Sequence, residues 1–194
     1  YQNLERFEEA QIEYQDGLLK GDITALNGMG TLSLAAAEDS QGEFGELSGL
    51  LDAEVLFRIG LNQVTSEDNR LQAMLHTNLG ITLMKRGRAE TEASEAQRDL
   101  FMEAGQHFQE AINIEQRSLK TDNSPYAGQG IAHCFLANVY EKTGDVVQAN
   151  THWQTCEADA YPASLEQYED ILRLGSSAIG LHLNTKYILE SDLN

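Results

Sequence analysis

Proline and cysteine are scarce in this 194-residue chain, with two of each. So few prolines leave long stretches without the residue that most reliably breaks a helix, and uninterrupted helices are expected. Two cysteines are too few for a disulfide framework. No run approaches the roughly 18 consecutive apolar residues that crossing a bilayer requires, so no membrane-spanning helix is expected. Basic residues are also in short supply. Thirteen Lys and Arg against 31 Asp and Glu leave a net charge of −18, which repels phosphate backbones and anionic head groups and sets nucleic-acid and membrane-surface roles aside.

What is present suffices for a core. The apolar fraction is 41%, and the length suits one domain of about 100–200 residues. The chain opens at Tyr1 already in an amphipathic pattern, Leu4, Phe7, Ala10 and Tyr14. That reads as a fragment or processed product, with any leader segment out of view. Cys134 and Cys156 fall within helical patterns, where they are expected as free thiols acting as small hydrophobes in a reduced, cytoplasmic interior.

One spacing recurs four times: small residue, aromatic four positions on, small residue three further. It reads Ala10–Tyr14–Gly17, Ala53–Phe57–Gly60, Ala104–Phe108–Ala111 and Ala149–Trp153–Cys156. Steps of four and three place each triplet on one helical face. The small residues admit a second helix closely and the aromatic fills the gap beside the contact. A second pattern precedes three of the triplets: Leu79-Gly80, Leu83 and Gly87; Leu136-Ala137, Tyr140 and Gly144; and Met29-Gly30, Ser33 and Ala37. Thr143-Gly144-Asp145 reads as helix stop, turn and N-cap in succession, and Lys20-Gly21-Asp22 gives the same signal.

The stretch from Tyr140 through Gly144 and Ala149 to Trp153, Cys156 and Pro162 resembles a tetratricopeptide (TPR) repeat, whose pattern is Leu-Gly-x-x-Tyr, then Ala-x-x-x-Phe, then Pro. Phe7 to Asp22 looks like the second helix of a preceding repeat, and the resemblance covers about residues 4–162. It implies an all-α, right-handed α-solenoid of about three helix pairs: residues 4–22 the second helix of a truncated repeat, then pairs at 23–64, 69–119 and 126–162. The period is stretched, as in kinesin light chains and bacterial signalling proteins. Arg88 to Asp99 is rich in helix formers and is expected to lengthen its helix. Asp39 to Gly49 carries three glycines and is expected as a loop. Ser118 to Ser124 extends towards a helix start at Ser124-Pro125. Ser164 and Gln167 stand in capping-box spacing, and 164–194 reads as C-terminal capping helices.

Such an array presents a concave face lined by the first helix of each pair. Projecting the repeat places Asn27, Thr31, Thr77, Ile81, Met84, Cys134, Asn138 and Glu141 there, with Asn78 at its margin. Asparagine donates and accepts together, so it can hold an extended peptide's backbone. Some family members grip a C-terminal carboxylate with Lys, Arg and Asn; here Asn27, Thr77 and Cys134 stand where basic residues would be required, which disfavours that mode.

His133, Cys134, His152 and Cys156 are residue types that hold zinc, but Cys156 is a packing position and Cys134 projects to the groove, so no metal or other cofactor is expected. No phosphate loop, nucleophile elbow or His-Glu-x-x-His motif occurs, so no catalytic residue is assigned. The basic cluster Lys85-Arg86-Gly87-Arg88 lies at a helix end, where cations suit the dipole. The reading is a non-catalytic module that binds a basic or amphipathic protein or peptide in its groove, steered by charge. The alternatives are a regulatory or sensor domain of a larger signalling enzyme, or a small TPR-type chaperone.

Overall fold

The computed structural model describes residues 2–39, 43–118 and 130–160. Among these the fold is all-α: seven helices and no strand, namely α1 (Gln2–Leu19), α2 (Thr24–Asp39), α3 (Glu43–Gln63), α4 (Asn69–Ala89), α5 (Glu95–Ser118), α6 (Ile131–Thr143) and α7 (Val146–Asp159). Two compact units divide at Ser124 and Pro125. The first holds α1 to α5, each helix packed on its sequence neighbours, with α2 also touching α4. The second holds α6 packed on α7. Chain-adjacent pairing of this kind is what hairpins of helices joined by short turns produce. No helix among the described residues is long and apolar enough to cross a membrane.

The small–aromatic–small triplets lie on α1, α3, α5 and α7, and they form the packing faces. Ala53, Phe57, Ala104, Phe108, Ala111 and Cys156 are fully buried, with Ala149 and Trp153 nearly so. Three of the aromatics lie against a glycine of the adjacent helix: Tyr14 against Gly28, Phe57 against Gly30 and Phe108 against Gly80. A Cβ placed on Gly80 would fall 2.6 Å from Cε1 of Phe108, and one on Gly30 would overlap Phe57 in the same way. Burying each Phe contributes about 1.5–3 kcal/mol, and the missing Cβ lets the helix backbones close to the distance that permits it.

Helix ends follow their caps. Gly144 has φ 86°, a left-handed conformation that glycine adopts without strain. Asp145 then caps α7, its carboxylate accepting from the Gln148 N–H at 3.1 Å. At the other stop signal Gly21 has φ 79° and Asp22 accepts from the N–H and hydroxyl of Thr24 at 2.9 and 2.6 Å. Those two donors hold the Asp22 carboxyl below its ordinary pKa.

Three expectations are corrected. Arg88–Asp99 does not continue one helix: α4 stops at Ala89 and α5 starts at Glu95. The cause is an N-cap: Ser94 Oγ accepts from the Gln97 N–H at 3.0 Å, and Gln97 Oε1 reaches back to accept from the Ala93 N–H at 2.8 Å. The segment from Glu43 to Gly49, expected as loop, is the first two turns of α3. Gly49 lies inside the helix because it packs on α2, where a Cβ would meet Ala37 Cβ at 2.8 Å and the Ser33 carbonyl at 2.9 Å. Finally, Cys134 and Cys156 are not free thiols; they form a disulfide that ties α6 to α7. The expected helix start at Ser124-Pro125 and the capping helices of 164–194 lie outside the described residues.

Candidate functional site

Two of the candidate groove residues meet across helices far apart in sequence. Asn78 on α4 donates through Nδ2 to Oδ1 of Asn27 on α2 at 2.9 Å. Both side chains are half-buried, and the exposed Thr31 lies one turn further along α2, its hydroxyl donating to the Asn27 carbonyl at 2.9 Å. A primary amide has two N–H donors and an acceptor with two lone pairs, so the Asn27–Asn78 bond uses a fraction of either group's capacity. Met74, one turn before Asn78, is partly exposed.

The other projected residues turn inward. Thr77 is buried and donates to the Ala73 carbonyl at 2.9 Å. Ile81 and Met84 have no exposed surface, because α4 is buried on every side from Leu79 to Met84. Cys134 faces Cys156 rather than a groove, and Asn138 is fully buried in α6. Glu141 is half-buried and accepts from the indole N–H of Trp153 at 3.1 Å. An open face was projected from the repeat, yet a helix that is apolar or small nearly all round has neighbours on all sides.

Sequence reasoning missed three features. The first is a pair of histidine contacts. His76 on α4 meets His107 on α5, and His133 on α6 meets His152 on α7, each Nδ1 to Nδ1 at 2.9 Å. Burial pushes all four imidazoles below their ordinary pKa, with His76 and His133 down to about 4. Their signal was available: each pair occupies the same offsets from the repeated small and aromatic residues. The second is a charge network between α3, α4 and α5. Glu54 takes both Arg58 and Arg86, and Arg58 also donates to Glu103 at 2.6 Å. Burial opposes the Arg58 charge, but the bonds to Glu103 and Glu54 outweigh it and raise its pKa. The third is an aliphatic stripe on α3, where Leu47, Leu51, Val55 and Ile59 recur every four residues at 41, 43, 56 and 38% exposure.

Among the described residues no group of three or more His, Cys, Asp or Glu is arranged to hold a metal ion. No family model, curated protein or solved structure matches the chain.

Proposed function

We propose that this protein is a non-catalytic interaction module whose helix hairpins are TPR-like and stack as a right-handed solenoid, with the α2–α4 face around Asn27, Thr31 and Asn78 receiving an extended segment of a partner. The observation that carries this reading is the Asn27–Asn78 bond. Two amides 51 residues apart in sequence share one surface and retain donors and acceptors for a peptide backbone. Preformed packing keeps the ordering cost on the peptide. The net charge of −18 favours basic partners and a salt-sensitive association rate.

A second reading has its own support. The α3 stripe is the kind of contiguous apolar surface that marks protein contacts, and it fits one face of an amphipathic partner helix. The two readings separate by experiment. Peptides selected from a displayed random library should lose binding at least about tenfold on Asn78→Ala, worth roughly 1.4 kcal/mol, if the α2–α4 face is used. Loss on Val55→Glu with Asn78→Ala unaffected assigns binding to α3 instead.

The cytoplasmic expectation rested on unpaired thiols. With Cys134 and Cys156 joined, that support is gone, and we place the protein in a compartment oxidising enough to keep the bond.

A further inference from the structure

Four of the five histidines of the chain form the two contacts between adjacent helices, and the contacts are equivalent. His76 lies four residues before Gly80 and His107 directly before Phe108; His133 lies four before Ala137 and His152 directly before Trp153. In both pairs the Nδ1 atoms are 2.9 Å apart and the ring centroids 5.1 Å apart. The centroid separation is close to the Nδ1 separation plus two ring radii, so the imidazoles meet nose to nose with their Nδ1 lone-pair directions opposed. A metal ion needs donors that converge on a point beside them, with further ligands around it; here the donors point at each other. What fits between them is a proton, donated by one Nδ1 and accepted by the other, which requires opposite tautomers within each pair.

We propose that each pair is an acid-sensitive latch, joining α4 to α5 and α6 to α7 while at least one imidazole is neutral and releasing them when both are protonated. The first added proton goes to the free Nε2 of the donor ring and leaves the N–H···N bond in place. The second can go only to the accepting Nδ1. Two N–H groups then face each other and two cations stand in contact inside a partly desolvated seam. The pair therefore opens on its second proton.

The surroundings set where this happens. Around the first pair, Glu110 on α5 favours a charged His76. Glu103 lies 3.9 Å from His107 Nε2 and favours its charge, as does Glu54 on α3, while Arg58 opposes it. Around the second pair, Asp159 on α7 favours a charged His133, and Tyr140 of α6 stacks on His152 at 5.5 Å. Burial outweighs these carboxylates in both pairs, so both latches are closed at neutral pH and open in acid. Each latch sits beside the packed seam of its hairpin, next to the Gly80–Phe108 contact in one and the buried Ala137 and Trp153 in the other. Loosening it releases the same seam that the small residues build.

Imidazole nitrogen NMR on the intact protein reads the claim directly. At pH 7 each pair should show one Nδ1–H and one Nε2–H tautomer, and His76 and His133 should stay neutral at pH 5.5. Hydrogen-exchange protection factors for α4 to α7 should then fall at least tenfold between pH 6.5 and 4.5. His76→Gln with His107→Gln, and separately His133→Gln with His152→Gln, should remove that fall in the hairpin changed. Four Nε2–H tautomers titrating together near the free-imidazole value would overturn the proposal. So would paired tautomers with unchanged protection in acid, which leaves the pairs as packing alone. If the Gln variants do not fold, the wild-type tautomers and exchange decide the question.

Discussion

The ring of Phe108 occupies the space a side chain on Gly80 would need, with Cε1 2.6 Å from the position of that Cβ. This contact fixes the spacing of α4 and α5, and Gly30 with Phe57 repeats it between α2 and α3. Gly80→Leu should therefore destabilise the chain by about 1–3 kcal/mol through forced repacking. A urea melt checks it. An unchanged midpoint means that the repeat register is wrong.

The Cys134–Cys156 bond closes a loop with a sequence separation of 22. A loop of that length stabilises the native state by about 3 kcal/mol on the chain-entropy account. Reduction should lower the denaturant midpoint of the α6–α7 unit while α2 to α5 melt as before. Tryptophan fluorescence follows this unit, since Trp153 is the one tryptophan of the chain.

Glu54 is the acceptor shared by Arg58 and Arg86. Glu54→Gln removes the charge and leaves the half-buried Arg86 facing a neutral amide, at a cost of about 1–2 kcal/mol. The same melt in high salt should show a smaller difference between variant and wild type, because screening weakens the pair being removed.

Stability should fall in mild acid, and the sign follows from the histidines. Their folded pKa values lie below the ordinary 6.5, with His76 and His133 near 4. Below pH 6.5 the unfolded chain therefore binds protons that the folded chain does not, and unfolding becomes more favourable. The contribution is complete above pH 6.5 and is lost as pH drops from there to about 4. Melting temperatures recorded from pH 7.5 to 5, above most carboxylate titration, should decline, and a flat profile contradicts the buried histidines.

Much of the fold was legible because its packing is periodic. Ala53–Phe57–Gly60 and Ala104–Phe108–Ala111 announce helix faces that must nest, and Gly144-Asp145 announces a stop and a cap; each is local chemistry. The α4–α5 break has a local signal too, the Ser94 to Gln97 spacing, which helix propensity alone does not register. The site was harder to read because exposure depends on what else covers a helix. Residues 79–84 of α4 are apolar or small apart from Thr82, so no period marks which side stays open, and Ile81 and Met84 were assigned to a surface they do not reach. The disulfide was missed for a related reason. Cys156 is the third member of a triplet that faces α6, yet Cys134 was assigned to the opposite side of that helix.

The central claim is that the Asn27–Asn78 surface receives a partner's backbone. Amide chemical-shift mapping with a library-selected peptide tests it most directly. The account predicts perturbations concentrated on α2 and α4 around Thr24, Asn27, Thr31, Met74 and Asn78, abolished by Asn78→Ala in a protein with an unchanged melt. Perturbations confined to Leu47, Leu51, Val55 and Ile59 on α3, or none at saturating peptide, would contradict it.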